Sequence, residues 1–200
     1  MEKSKKELTK EKIQQAAYKC VARFGFEKTT LEDIAKEVNL NKASLYYYYK
    51  NKEEIFLDVT TTETAKFVEN LKTTTAEQEG ITEQIFHYLY ERSVYYLNLI
   101  QGVHISEESL RQVEGLFLEH MKEVETQEVL FLKGLIDNAI ERKSLQSVDS
   151  QQLAYNFITL TSGIKDRARQ MHPNIAAVSA EIETNLRFML GLIFKSISIR

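Results

Sequence analysis

The chain has 200 residues, 43% of them hydrophobic and 28% charged, with a net charge of −3, which is globular and neither fibrous nor disordered in composition. No apolar run approaches the roughly 18 residues of a membrane span, and "MEKSKKELTKEK" lacks the apolar stretch of a signal peptide, so no membrane partner and a cytoplasmic location are expected. One proline, seven glycines and the single Cys20 exclude a disulfide scaffold and argue against a many-turned β fold, which leaves long helices.

The charge is unevenly spread. Residues 1–52 hold twelve Lys and Arg against seven Asp and Glu, a net +5, so residues 53–200 carry −8. A basic head on an acidic body suggests that only the head meets a polyanion.

The first helix is expected from about Thr9 to Phe24. Ile13, Ala16, Ala17, Cys20, Val21 and Phe24 recur at helical spacing and Gly25 follows as a terminator. Cys20 stands on that stripe and reads as core filling, not as a redox sensor. Thr30 with Asp33 resembles a capping box for a short second helix bearing Leu31, Ile34, Ala35 and Val38. Asn39-Leu40-Asn41 then forms a tight turn, because Asn39 tolerates the left-handed backbone and Asn41 is a good N-cap. The third helix runs from Lys42 to about Tyr49, and the Asn51/Glu54 pair opens a fourth at Lys52.

Four consecutive tyrosines, Tyr46 to Tyr49, cannot all face one core, since helical neighbours lie about 100° apart. Leu45 and Tyr49 share a face and should pack on the second helix. Lys42, Ser44, Tyr46, Tyr47 and Tyr48 are spread over the other sides, where phenols and ammonium groups suit phosphate oxygens and base edges. The bland alternative is a tyrosine-rich surface with solvated lysines. Two short helices joined by a three-residue turn in a basic head are the grammar of a helix-turn-helix.

Residues 9–56, and above all "IQQAAYKCVARFGFEKTTLEDIAKEVNLNKASLYYYYKNKEEIF", resemble the DNA-binding head of the tetracycline-repressor (TetR) family of bacterial regulators. The resemblance implies that Thr30 contacts a backbone phosphate and that Lys42, Ala43 and Ser44 reach base edges. It also implies that Tyr46 and Tyr47 contact phosphates, sugars or bases, and that Lys52 grips a phosphate at a helix N-terminus. The family more often has glycine at Asn39, histidine at Tyr48 and phenylalanine at Tyr49. Tyr48 keeps a hydrogen-bonding tip, whereas a buried Tyr49 must find its hydroxyl a partner.

The body, residues 53–200 behind a head of 1–52, reads as six further helices, which makes about nine in all. They are expected near 52–73, 81–101, 106–120, 122–143, from Asp149 to Met171, and from about Asn174 almost to the end. Leu153, Phe157, Leu160 and Ile164 form one stripe, and Ile175, Val178, Ile182, Met189, Ile193 and Ile197 another, as in a four-helix bundle. The resemblance implies that these last two helices pair across a two-fold axis in a homodimer. Taken alone, the stripes could equally be spent on the subunit's own core. Phe86, Tyr90, Tyr95, Tyr96, Phe117, Phe131, Tyr155 and Phe157, with His87, Arg92 and Asn156 as polar tips, are the expected walls of an apolar effector pocket.

His120 with Glu123, and His104 before Glu107 and Glu108, have metal-ligand spacing but no third ligand, so no metal site and no cofactor are expected. There is no phosphate loop or nucleophile motif, and no catalytic residues are assigned. The expected protein is a cytoplasmic, homodimeric, ligand-responsive repressor, released from a palindromic operator in double-stranded DNA by a small apolar effector. A helical enzyme or carrier with a vestigial head, an activator and a constitutive DNA binder are the alternatives.

Overall fold

The computed structural model describes residues 4–102 and 107–199, and side chains outside residues 100–121. Eight helices are present among the described residues: α1 Lys5–Phe24, α2 Leu31–Glu37, α3 Lys42–Tyr48, α4 Lys52–Ala76, α5 Ile81–Gly102, α6 Glu107–Glu141, α7 Ser150–Met171 and α8 Ile175–Ile197. The all-α expectation holds.

Several ends lie where the capping chemistry puts them. Thr30 accepts from the backbone N–H of Asp33 at α2, and Asn41 accepts from Ser44 at α3. Asp149 caps α7 and Asn174 caps α8 in the same way. Two expectations need correcting. Helix α1 starts at Lys5 and not Thr9, because Ser4 and Glu7 complete a capping box one turn earlier. The two helices expected at 106–120 and 122–143 are one 35-residue helix, α6. No glycine or proline stands between residues 116 and 133, so nothing in the sequence interrupts the hydrogen-bond ladder there. The helix stops where Lys143 turns left-handed (φ 58) and Ser144 donates its N–H back to the carbonyl of Ala139, 3.0 Å away.

The chain packs as two compact units, Met1–Lys66 with Ile100–Met121, and Phe67–Leu99 with Lys122–Arg200. The first is centred on a small core of Ile13, Ala16, Ala17 and Cys20 from α1, Ile34 and Ala35 from α2, Leu45 and Tyr49 around α3, and Ile55 from α4. Cys20 is buried here, and burial pushes its thiol pKa up, as befits an inert core residue.

The second unit holds the larger core. Ile85, Tyr88, Leu89 and Leu97 of α5 meet Leu132 and Ile136 of α6, with Ala154, Phe157 and Ile158 of α7. Helix α8 contributes Val178, Ile182, Leu186, Leu190 and Phe194, a stripe at steps of four. Helices α7 and α8 pack on each other. Beyond them, Leu145 and Ser198 form an isolated antiparallel bridge that ties the end of α8 to the α6–α7 connection.

Two of the expected interface residues belong to this core. Phe157 is fully buried against Phe194, with ring centres 6.0 Å apart, and Ile182 is fully buried as well. Leu153, Ile164, Met189 and Ile193 flank the core half-buried, and Leu160 alone of the set is exposed. Both helices carry apolar side chains on more than one face, so periodicity does not say which face the chain keeps for itself. The exposed large apolar residues of α7 and α8 are Tyr155, Leu160, Met171, Phe188 and Leu192.

Candidate nucleic-acid interface

Helix α3 is held by one deeply buried leucine and by the residue that ends it. Leu45 is fully buried, and Tyr49, the C-cap, is 3% exposed. The turn into α3 requires a left-handed residue, and Asn39 supplies it with φ 55. With Leu45 facing inward, the remaining side chains are presented outward. Lys42, Ala43, Tyr46 and Tyr47 are exposed, Tyr47 by 72%, while Ser44 and Tyr48 are half-buried. Tyr48 turns its ring edge to Tyr47 at 5.1 Å and packs on the small core. The four tyrosines thus divide into two outward, one at the rim and one inward.

The inward tyrosine finds its partner. The Tyr49 hydroxyl donates to Asp58 Oδ2 of α4 at 2.5 Å, and the Lys10 ammonium of α1 lies 3.5 Å from the same oxygen. Lys10 also stands 5.0 Å from the Tyr49 ring centre. Burial, and then the Asp58 carboxylate, push the phenol pKa well up, so Tyr49 stays a proton donor. One side chain at the end of α3 therefore ties it to α4 and, through Lys10, to α1. Nothing in the local sequence marked Asp58 for this duty.

Three of the expected DNA-contacting residues are engaged within the chain. Lys42 Nζ donates to Glu32 Oε1 across the turn at 2.6 Å, and that contact holds the Glu32 pKa down and the Lys42 pKa up. The Thr30 hydroxyl donates to Asp33 Oδ2 at 2.6 Å, and that bond, with the Thr30 backbone N–H, depresses the Asp33 pKa. Lys52 Nζ donates to the carbonyls of Phe26 and Glu27 at 2.9 and 3.2 Å and lies over the Phe26 ring. An exposed ion pair such as Lys42–Glu32 contributes little and is readily exchanged for a contact to DNA. Lys52 differs. Two of its three N–H bonds hold the α1–α2 loop, so one donor remains for DNA.

The expected pocket residues do not form one cluster. Phe86 stacks on Tyr90 with the Arg187 guanidinium 3.8 Å from the Phe86 ring centre, and Tyr95 stacks on Phe67 at 3.9 Å. Phe131 tilts against Tyr88 at 5.0 Å. Tyr155 is exposed, and Phe157 is in the core. Phe117 lies outside the described side chains, as do His104, Glu107, Glu108 and His120.

The sequence reading missed Tyr88 and Glu128. Both are fully buried, and Glu128 Oε1 receives Arg92 Nε at 2.8 Å and the Tyr88 hydroxyl at 3.4 Å. Burial pushes the Glu128 pKa up against the pull of Arg92. A signal was there to read: Glu128 interrupts the apolar spacing of Val124, Phe131, Leu132 and Leu135.

A short helix in a tight two-helix unit, exposing lysine and tyrosine over one buried leucine, has the geometry of a DNA-binding helix-turn-helix. Residues 13–59 match the family model described as bacterial regulatory proteins, tetR family. Two relatives agree. The biofilm operon icaADBC HTH-type negative transcriptional regulator IcaR of Staphylococcus epidermidis is 30% identical over 58% of this chain and 63% of its own length, so the match spans under two thirds of that relative. The HTH-type transcriptional regulator YhgD of Bacillus subtilis is 24% identical over 82% of this chain and 86% of its own. The fold is also that of a transcriptional regulator from Cytophaga hutchinsonii, with a TM-score of 0.77 at 24% identity over 94% of this chain and 98% of that one. Together these matches support a transcriptional regulator of the TetR family, with residues 13–59 as its DNA-binding head. Among the described residues no helix is long and apolar enough to cross a membrane.

Proposed function

We propose that the chain is a homodimeric repressor that binds a palindromic DNA operator through residues 1–52 and releases it when residues 53–200 bind a small effector. The observation that carries this is the outward face of α3, where Lys42, Tyr46 and Tyr47 stand clear of the core on a helix fixed by Leu45 and Tyr49. Repression follows the negative regulator among its relatives. Lys42, Ala43 and Ser44 read base edges at the start of α3. Tyr46, Tyr47 and Tyr48 contact the backbone, with Thr30 and Lys52 as clamps to either side.

The dimer would form on the exposed apolar side chains of α7 and α8, with Leu160, Phe188 and Leu192 at its centre and Leu153, Ile164, Met189 and Ile193 beside them. Exposed rings and leucines of this kind mark association surfaces. Two heads about 34–36 Å apart fit successive major grooves, and an effector that favours another spacing lowers affinity for DNA. Selection from a random pool of DNA duplexes tests the reading. The expected product is an inverted repeat with half-sites about 10 base pairs apart, or a multiple of that spacing. A pool that shows no enrichment would contradict it.

A further inference from the structure

Helix α5 carries Tyr88, Arg92 and Tyr96 at steps of four, so they share one face, and α6 brings Glu128 to it. All four are nine-tenths or more buried: Tyr88 and Glu128 are 0% exposed, Arg92 4% and Tyr96 6%. The polar atoms are unequally served. Glu128 Oε1 takes both the Arg92 Nε bond and the longer Tyr88 bond, while Glu128 Oε2 and the Tyr96 hydroxyl have no hydrogen-bond partner among the described residues. The Arg92 guanidinium lies 5.0 Å from the Tyr96 ring centre, so the Tyr96 ring flanks the ion pair to which the other orphan atom belongs. Native interiors rarely leave two such groups together, and where they do the groups are commonly functional.

We propose that Glu128 Oε2 and the Tyr96 hydroxyl recognise the hydroxyl group of a small neutral aromatic compound. This rests on the effector reading above and deepens it. A single hydroxyl answers both atoms together. It donates its proton to the carboxylate oxygen and accepts the phenolic proton of Tyr96. The charges select further. Arg92 and Glu128 cancel, so an added anion faces the free carboxylate oxygen and an added cation faces the guanidinium, in either case without water to screen it. The neighbouring rings of Tyr88 and Phe131, 5.0 Å apart, favour an aromatic body. Arg92 acts as a positioning residue, fixing the carboxylate so that Oε2 stays free.

The test uses the full chain and four probes of similar size at millimolar concentration: phenol, toluene, benzoate and benzylammonium. Calorimetric titration and thermal shift are expected to rank phenol first, about tenfold tighter than toluene, because phenol makes two hydrogen bonds that toluene cannot. Benzoate and benzylammonium should bind more weakly than toluene. Tyr96→Phe leaves the Arg92–Glu128 pair intact, should keep or raise the melting temperature, and should cut the preference for phenol over toluene to about threefold or less. Equal affinities for phenol and toluene, or a preference unchanged in Tyr96→Phe, would overturn the proposal.

Gel shifts with the selected operator separate this failure from that of the repressor reading. Phenol binding that depends on Tyr96 and leaves operator affinity unchanged upholds the site and removes the effector role. Operator release by hydrophobic compounds that is indifferent to Tyr96→Phe removes the site and keeps the role.

Discussion

The head and the larger body unit handle polar groups on opposite terms. In the head the ion pair Lys42–Glu32 and the Thr30–Asp33 cap lie at the surface, where water can replace either partner at little cost. In the body, Arg92 and Glu128 are sealed together, and breaking such a pair leaves a buried charge with nothing to answer it. The contrast shows how each region can respond. The exposed Lys42–Glu32 pair can be traded for a contact to DNA without disturbing the fold. A buried pair with one unserved oxygen of its own and an unserved hydroxyl beside it can only change when something enters or the packing shifts.

Substitutions break this comparison most sharply where burial is complete. Glu128→Leu strands the Arg92 charge and should lower stability by about 3–5 kcal/mol, read as a shifted urea midpoint. Replacing both members, Arg92→Met with Glu128→Leu, should recover most of that loss, because a well-packed apolar pair is often as stable as the ionic one. An unchanged midpoint in Glu128→Leu would mean that the pair is wetter than its burial indicates.

Leu45→Ala comes next, at about 2–5 kcal/mol for a fully buried leucine, and its effect should fall on the head. Hydrogen exchange is the measurement that localises it. Amides of α1 to α3 should lose protection while those of α7 and α8 keep theirs. Tyr49→Phe removes the bond to Asp58 and leaves the ring, so about 1–2 kcal/mol is expected at this partly screened site. DNA affinity should fall with it, since α3 loses its tie to α4.

The smallest effect is the acid response of the α2 cap. Asp33 has its pKa depressed below the ordinary 3.8 by the Thr30 hydroxyl and backbone N–H. A depressed carboxyl contributes stability that is full above its unfolded pKa and is lost as pH falls through the folded one. The wild-type chain should therefore lose slightly more stability than Asp33→Ala as pH drops from about 5 towards 2, seen as converging melting curves. Parallel curves would show that the cap is not ionic.

Most of the head was legible because its structure is local. Thr30, Asn39, Asn41 and Gly25 each announce a boundary through their own backbone preference, and the alternation of Leu45 and Tyr49 with the outward tyrosines follows from helical pitch alone. What was not legible depends on residues distant in sequence. The Tyr49–Asp58 bond spans nine residues, Lys52 reaches back 26 to Phe26, and Glu128 meets Arg92 across 36. The same limit explains Phe157 and Ile182, whose stripes are real but turn inward, and the uninterrupted run of α6, where a break was expected without any residue to make one.

The central claim is that α3 meets DNA with side chains that the fold itself does not need. Fluorescence anisotropy of the selected operator with the double variant Lys42→Ala/Tyr47→Ala, titrated at several salt concentrations beside a melting curve, tests it most directly. The account predicts an unchanged melting temperature, affinity lower by tenfold or more at every salt concentration, and a log–log salt slope close to the parent's, since Lys42 reads base edges. Operator binding as tight as the parent's would contradict it.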